Sequence, residues 1–272
     1  MQRLLPGAVV TLCCFHLLVV SSATAAESSG LGRELAQGVS RLVSESSDLL
    51  QAPLRTDNGN IMITLGVAGA TILAYSFDHD IRDGITGIHG STMDKVSDMG
   101  TLAGDPFLHL GLAALIYGTG YATDSPKWQE TGEMLGEALL LADASSLILK
   151  ESIGRGRPAS SGRRDAFSPF SFRQDYDSFP SMHTASAFAA ASVMAATSES
   201  LLVKGTYYSA ASLVGLSRIY KDKHWASDVI FGAALGELCG RVVTNYHASP
   251  KRLVMVPQLY DGGGGITMVM RW

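Results

Sequence analysis

The chain has 272 residues, a formal net charge of −4 and an aromatic content of 8%. That length suits one sizeable domain or a bundle of about six membrane helices. Few aromatics together with abundant Ala, Gly, Ser and Leu favour close-packed helices over a β-sandwich. The slightly acidic balance, without a basic stripe interleaved with aromatics, gives no reason to expect a nucleic acid as a partner.

Residues 1–25 have the pattern of an export signal. Arg3 lies in a short n-region, the stretch from Ala8 to Val20 is apolar, and Ala23-Thr24-Ala25 is an A-x-A cleavage site. An uncleaved anchor is the alternative, but the apolar run is shorter than a membrane span, which needs about 20 residues. We therefore expect an exported, periplasmic protein whose mature chain begins near Ala26.

The segment from 26 to 60 is polar, and its amphipathic run from Leu31 to Leu50 predicts one helix. Six apolar segments of helical length follow and define a helical domain over 61–247; they cover residues 61–77, 106–122, 131–149, 183–197, 201–217 and 226–243. The stretch 151–179 contains Gly, Pro, Ser and five arginines. We interpret this stretch as a long loop, and loops of that length are often functional.

The tail, residues 248–272, has a different sequence pattern from the helical segments before it. Four glycines after Asp261 separate the run Leu253 to Leu259 from an alternation of apolar residues that ends at Trp272. Alternation with period two beside a glycine-rich turn is typical of a β-hairpin. The predicted fold is therefore all-α, a bundle of about six core helices, with a short C-terminal β-hairpin-like tail.

The apolar segments do not have the composition expected of simple membrane spans. Several carry acidic side chains, among them Glu133, Glu137 and Asp143 in the third segment. Charges at bilayer depth are costly and need a functional reason. We favour a compact helical domain outside the inner membrane and resting on it; a multi-pass membrane protein is the alternative.

Three short motifs carry the chemistry. In the first, Lys150 ends an apolar helix, Gly154 and Gly156 break that helix, and Arg157-Pro158 follows on the loop. Lys offers a mobile point charge and Arg a planar, bidentate fork for an oxyanion. Taken alone, basic residues near a helix C-terminus often only complement the helix dipole.

The second motif, Pro180-Ser181-Met182-His183, leads directly into an apolar helix. Ser181 suits the N-cap position, and the free backbone N–H groups after it form an anion site. His183 in the first turn could donate a proton to a leaving oxygen. A serine N-cap followed by a histidine is also common without any function.

The third motif is Ser217-Arg218 followed by His224 and Asp228. Residues four apart share one face if the helix has already begun. A carboxylate that accepts from one ring nitrogen fixes the tautomer and leaves the other nitrogen free to attack. Such a pair on a helix surface is also common without function, so the specificity lies in the combination of the three motifs.

Together the motifs resemble the type 2 phosphatidic acid phosphatase and vanadium haloperoxidase superfamily. Its pattern is K-x6-RP, then PSGH, then SR-x5-H-x3-D. The first and third motifs match in spacing, and the second departs at Met182, where glycine is usual. The resemblance covers about residues 61–243 and implies a helical-bundle core.

The resemblance also implies a role for each motif residue. His224 would be the nucleophile that forms a phosphohistidine, Asp228 would orient and charge it, and His183 would protonate the leaving group. Lys150, Arg157 and Arg218 would hold the phosphate oxygens, with the Ser181 hydroxyl and the Met182 amide. No metal or cofactor is implied. Loss of glycine's conformational freedom at Met182 puts the local geometry in question.

We therefore expect a metal-independent phosphatase for a phosphomonoester or pyrophosphate, with a lipid phosphate as substrate and a membrane surface or bilayer as partner. Phosphatidic acid, phosphatidylglycerol phosphate, a polyprenyl pyrophosphate and the lipid A phosphates are the candidates. The alternatives are an exported acid phosphatase for soluble esters, a vanadate-dependent haloperoxidase and a non-catalytic phospholipid-binding protein. The sequence gives no indication of the oligomeric state.

One acidic cluster lies outside these motifs. Asp78, His79, Asp80, Asp83 and His89 have the composition of a metal site, but nothing in the sequence fixes their geometry. We interpret them as a solvated loop at the end of a helix.

Overall fold

The computed structural model describes residues 30–56, 60–88, 90–248, 253–260 and 263–270. The predicted export signal and His89 lie outside these ranges. The chain divides into two units, one of residues 51–248 and the other of residues 1–50 with 249–272. The second unit contains most of helix α1 (Gly30–Gln51) and an antiparallel pair of strands, β1 (Leu253–Tyr260) and β2 (Gly263–Met270). In that pair Leu253 lies opposite Met270, and Tyr260 opposite Gly263.

The unit of residues 51–248 is all-α. After a 3-10 turn at Ala52–Leu54, its helices are α2 (Asn60–Ser76), α3 (Asp78–Thr86), α4 (Ser91–Ala103), α5 (Pro106–Ala122), α6 (Pro126–Ile153), the short α7 (Pro158–Ser161), α8 (Met182–Ala196), α9 (Leu201–Tyr220) and α10 (Ala226–Ala248). The prediction of an all-α bundle is confirmed, and each of the six apolar segments coincides with a helix to within a few residues. The bundle has more helices than predicted, because α3 and α4 are too polar to stand out by hydrophobicity.

Local sequence explains where several helices begin. Helices α5 and α6 have proline in the first turn, where a missing N–H costs nothing. The Asp105 side chain caps α5 by accepting from Leu108 N, and Ser200 caps α9 by accepting from Val203 N.

Helix α8 lies at the centre of this unit, in contact with α5, α6, α9 and α10. Its side chains are mostly Ala and Ser, and α10 packs against it closely enough to need glycine. A Cβ at Gly236 would lie 2.1 Å from the Ala185 carbonyl oxygen, and one at Gly232 would lie 2.7 Å from the Ser181 carbonyl oxygen. The two backbones are therefore in direct contact, which fixes the start of α8 beside the start of α10.

Within the described residues, no single helix combines the length and apolar character needed to cross a bilayer. Two bent pairs meet the length and composition criteria together, α2 with α3 at 65° and α4 with α5 at 55°.

Candidate active site

The end of α6 places the first cation. Gly154 terminates the helix with a left-handed φ of 60°, and a Cβ there would lie 2.0 Å from the Ser168 carbonyl oxygen. Only glycine fits this sharp turn into the loop. Lys150, one turn earlier, is buried, and Arg157 follows on the loop just before α7.

Asp177 holds these two cations together. Arg157 donates from Nε and Nη2 to the two carboxylate oxygens of Asp177, at 2.6 and 2.7 Å, and Lys150 Nζ donates to the Asp177 carbonyl oxygen. Burial alone would raise the pKa of Asp177, but Arg157 and Lys150 hold that pKa below its usual value. Asp177 therefore orients both cations before any ligand binds.

The start of α8 supplies the second group. Ser181 occupies the N-cap position, but its hydroxyl bonds to Thr184 Oγ1 at 2.8 Å instead of capping the helix. Ser181 N donates to the Asp228 carbonyl oxygen at 3.1 Å, which ties this end of α8 to α10. Met182 and His183 are the first two helical residues, both half-buried. Backbone N–H groups of a first turn have no partner inside their own helix and suit an anion.

A tight turn between α9 and α10 brings in the third group. Arg218 lies in the last turn of α9, and its carbonyl oxygen accepts from the backbone N–H of both Lys223 and His224. The indole of Trp225 is fully buried and donates to the Gly156 carbonyl oxygen at 3.0 Å. This contact fixes the turn against the loop that follows α6.

His224 and Asp228 do not meet on one helical face, because α10 begins only at Ala226. Instead the buried His224 ring donates its Nδ1–H to the Ser178 carbonyl oxygen at 2.6 Å. Asp228 Oδ2 lies farther away, 3.7 Å from the same nitrogen. With the proton fixed on Nδ1, Nε2 keeps its lone pair and can act as a nucleophile.

Asp228 is held on both oxygens. Oδ1 accepts from Arg155 Nη1 at 2.5 Å, and Oδ2 accepts from Ser178 Oγ at 2.6 Å and from Trp225 N at 2.8 Å. Burial would raise the pKa of Asp228, but the neighbouring His224 imidazole, the Arg155 charge and the Ser178 hydroxyl together lower it. Asp228 is therefore a fixed anion beside His224.

The cations crowd one another. Burial lowers the pKa of Lys150 to about 8, with Asp177 opposing and Arg157 adding to the effect. Burial and the Arg157 charge lower the pKa of Arg218 to about 10. Arg218 Nε is buried and has no hydrogen-bond partner among the residues that the structure describes. Crowded cations with a spare donor suit a multiply charged anion.

Both imidazoles are neutral near pH 7. Burial lowers the pKa of His183 to about 3, with further contributions from Arg218 and His224. Burial also lowers the pKa of His224 to about 4, against the opposing effect of Asp228. A bound dianion would offset the cations and raise both pKa values.

The structure brings the three predicted motifs into one electrostatically coupled site, from Lys150 to Asp228. It also adds groups that the sequence analysis missed, namely Arg155, Asp177, Ser178 and Asp78. Arg155 lies inside the first motif, two residues before Arg157, and that position was its only signal.

The interpretation of the acidic cluster as a solvated loop is wrong. Residues 78–86 form α3, and Asp78 is fully buried. Its carboxylate accepts hydrogen bonds from Arg155 and Ser227, which compensate for the loss of water. Asp80 and Asp83 are exposed, as the interpretation required.

Known proteins resemble this chain in both sequence and fold. Residues 134–252 match the model of the PAP2 superfamily, a segment that contains all three motifs. The lipid A 1-phosphatase of Porphyromonas gingivalis is 33% identical over 185 residues, which are 66% of this chain and 37% of that protein. The chain therefore spans little more than a third of the length of this relative.

Two solved structures share the fold. LpxE of Aquifex aeolicus matches with a TM-score of 0.51 and 25% identity, over 61% of this chain and 94% of that one. The transmembrane PAP2-type phosphatidylglycerolphosphate phosphatase of Bacillus subtilis matches with a TM-score of 0.50 and 21% identity, over 76% of this chain and 96% of that one. Motif spacing, the sequence match and the fold agree, and residues 134–252 of this chain belong to the PAP2 superfamily.

Proposed function

We propose that this protein is a metal-independent lipid phosphatase that works through a phosphohistidine at His224. One observation carries the proposal: buried, mutually repelling cations surround a neutral imidazole whose Nδ1–H is committed to the Ser178 carbonyl. Such a site needs an anion to balance its charge and offers that anion a nucleophile.

Lys150, Arg157 and Arg218 would bind the phosphate oxygens, together with the Ser181 hydroxyl and the Met182 amide. Their charges neutralise the equatorial oxygens, on which negative charge is spread in the transition state of phosphoryl transfer. The Ser181 hydroxyl would exchange its bond to Thr184 for one to the phosphate.

In the first step, His224 Nε2 would attack phosphorus, and the bond from phosphorus to the leaving oxygen would break. His183 would give that oxygen a proton, which His183 acquires once the bound phosphate offsets the charge of Arg218. In the second step, a water oxygen would attack phosphorus, His183 would take a proton from that water, and the N–P bond would break.

Asp228 would stabilise the positive charge that develops on His224. Its role is electrostatic, since the Ser178 carbonyl is the closer acceptor for Nδ1. A fixed carboxylate is effective here because the surrounding side chains exclude water and lower the local dielectric constant.

A lipid substrate is supported by the relatives, which are named as phosphatases of lipid A, or of phosphatidylglycerolphosphate. The loop beside the site adds a second argument. Phe167, Phe170 and Phe172 are exposed, although Ser168 N and Phe170 N anchor the loop to the Gly154 and Glu151 carbonyl oxygens at 2.7 Å. Exposed aromatics on an anchored loop suit contact with a bilayer surface.

Large apolar side chains are also exposed on α2 and α5, for example Ile72 on α2 and Leu115 on α5. Extensive exposed apolar surface marks an interaction site. We propose contact with the membrane through this surface and, from the signal pattern of residues 1–25, action on the periplasmic side of the inner membrane.

Phosphate release from a dispersed lipid phosphate tests the function, with a chelator present and with His224→Ala as the comparison. We expect the parent protein to release phosphate and the variant to be at least about 10³-fold slower, because the nucleophile is gone. Phosphate binding by calorimetry should change less than about threefold, since the cations stay.

Each other outcome has a distinct meaning. Unchanged release by His224→Ala would refute the nucleophile assignment. Release from soluble esters but not from lipids would replace the lipid substrate with a soluble one. Release that stops on adding the chelator would contradict the metal-independent mechanism.

A further inference from the structure

Arg155 is a buried guanidinium that bridges two carboxylates. Its Nη1 donates to Asp228 Oδ1 at 2.5 Å and to Ser227 Oγ at 2.7 Å, and its Nη2 donates to Asp78 Oδ2 at 2.7 Å. The side chain is 2% exposed and both carboxylates are 0% exposed. Arg155 therefore connects the anion beside His224 to a second anion that lies outside the predicted motifs.

Asp78 is fixed as firmly as Asp228. It begins α3, and its Oδ1 accepts from the backbone N–H of Ser227 at 2.9 Å. Its Oδ2 accepts from Ser227 Oγ at 2.7 Å in addition to Arg155. Ser227 lies in the first turn of α10, one residue before Asp228, so Asp78 and Arg155 together hold this turn in place.

Two aromatic rings close the cluster from solvent. The Arg155 guanidinium carbon lies 5.0 Å from the centre of the Tyr75 ring and 5.6 Å from that of Trp225. Charges so enclosed interact strongly, because little water is available to screen them.

The balance of charge in this cluster has a consequence for His224. Arg155 carries one positive charge, and Asp78 and Asp228 carry two negative charges. The cluster therefore has a net charge of −1 beside His224. Without the Asp78 carboxylate, the guanidinium would cancel the Asp228 charge that has to stabilise a positively charged imidazole.

Building on the proposed phosphohistidine function, we propose that Asp78 and Arg155 are positioning residues for catalysis. Arg155 locks the Asp228 carboxylate in place, and Asp78 offsets the guanidinium charge so that Asp228 remains an effective anion for His224. Neither residue touches the phosphate, and both act through Asp228.

Other ionisable groups also face His224 and contribute to its electrostatic environment together with Asp78, Arg155 and Asp228. Lys150 comes from α6, His183 from α8, and Arg157 and Asp177 from the loop between those helices. None of them touches Asp78 through a hydrogen bond in the described part of the chain, so a change at Asp78 reaches His224 through Arg155 and Asp228.

Asp78→Asn keeps the size of the side chain and removes its charge. We expect the rate of phosphoenzyme formation and kcat to fall about 10- to 100-fold. A loss of this size is expected if removing the Asp78 charge lowers the pKa of His224 by about one to two, because the same charge stabilises the imidazolium. KM should change less than about threefold, because the phosphate contacts stay.

Asp222→Asn is the matched control. Asp222 pairs with Arg82 of α3 through two bonds of 2.6 and 2.7 Å, and it also links α3 to the turn before α10. Its φ of 55° suits asparagine, which tolerates the left-handed region. We expect kcat within about threefold of the parent, because this ion pair does not reach Asp228. Equal effects of the two variants on kcat would overturn the proposal.

A second variant separates charge balance from a structural role. Asp78→Asn combined with Arg155→Met removes both charges and leaves Asp228 anionic, with Ser178 and Trp225 still donating to it. We expect this double variant to recover at least about threefold in kcat over Asp78→Asn alone, a non-additive result typical of coupled residues. A double variant no faster than Asp78→Asn would mean that the two residues have only a structural role, and it would overturn the proposal.

An NMR titration of the histidine ring signals, assigned with His224→Gln, gives a readout that needs no turnover. Asp78→Asn should lower the pKa of His224, because a nearby negative charge is lost, whereas Asp222→Asn should not. If the parent releases no phosphate, the phosphatase function fails while this shift still tests the electrostatic coupling. An unchanged His224 pKa in folded Asp78→Asn would overturn the coupling itself.

Discussion

The carbonyl oxygen of Ser178 lies 2.6 Å from His224 Nδ1, closer than the carboxylate of Asp228 at 3.7 Å. The hydroxyl of the same serine donates to Asp228 Oδ2 at 2.6 Å. Ser178 thus fixes the tautomer of His224 with its main chain and the orientation of the Asp228 carboxylate with its side chain.

Replacing Ser178 with alanine should separate these two contributions. The carbonyl stays, so Nε2 remains the free nitrogen, while Asp228 loses one of its hydrogen-bond donors. We expect kcat to fall about tenfold with little change in KM, since a hydrogen bond to a charged group contributes about 1.5–3 kcal/mol. Steady-state phosphate release measures this, and a loss as large as that of His224→Ala would mean that the hydroxyl itself takes part in the chemistry.

The pH dependence of kcat/KM should be bell-shaped. His224 must be neutral to attack, so activity should fall below its pKa of about 4. Lys150 must be charged to bind phosphate, so activity should fall as the pH rises through its pKa of about 8. Lys150→Arg should move the alkaline limb to higher pH, because a guanidinium stays charged there. An alkaline limb at the same pH in this variant would assign it to another group.

Met182→Gly restores the residue usual in the family at the start of α8. We expect kcat/KM within about threefold of the parent or higher, because the backbone N–H that would face the phosphate is retained. The free energy of unfolding should decrease by up to about 1 kcal/mol, since glycine loses more conformational entropy on folding. A loss of activity beyond about tenfold, measured on the same lipid, would show instead that the Met182 side chain shapes the substrate pocket.

The exposed phenylalanines should matter only when the substrate lies in a bilayer. Phe170→Ser with Phe172→Ser should lower phosphate release from vesicles several-fold and leave release from a water-soluble short-chain ester unchanged. The matched control is Leu201→Ser with Leu202→Ser, because these leucines are at least as exposed. They lie at the opposite end of α9 from Arg218, about 24 Å away along the helix. Equal losses on both substrates would contradict a role in surface contact.

The six long helices could be predicted from the sequence, and so could the three motifs that the structure brings together. The helices follow from apolar runs of helical length, and the motifs from a spacing that few chains share. The burial of Asp78 at the start of the charged helix α3 could not be predicted. The partners that allow its carboxylate to be buried lie 77 and 149 residues away in the chain. The acceptor for the Nδ1–H of His224 could not be predicted either, because it is a backbone carbonyl oxygen and every residue has one.

The pairing of His224 with Asp228 shows where spacing misleads. Four residues separate them, which on a helix would place them side by side. The helix begins between them, and the turn formed by Arg218, Lys223 and Trp225 decides how they meet. The motif therefore contains residues that the folded chain brings together, while the geometry of their contact depends on tertiary structure.

The backbone contact between α8 and α10 at Gly232 and Gly236 makes the site rigid where the two helices begin. His183 stands at the beginning of one helix, and His224 lies two residues before the other. No compliant layer of side chains separates the two helices where the glycines lie. The distance between His183, the proposed proton donor, and His224, the proposed nucleophile, should therefore change little when neighbouring side chains change rotamer. We expect a bulky substrate to lie along the other sides of α8, because separating α8 from α10 would move His183 away from His224.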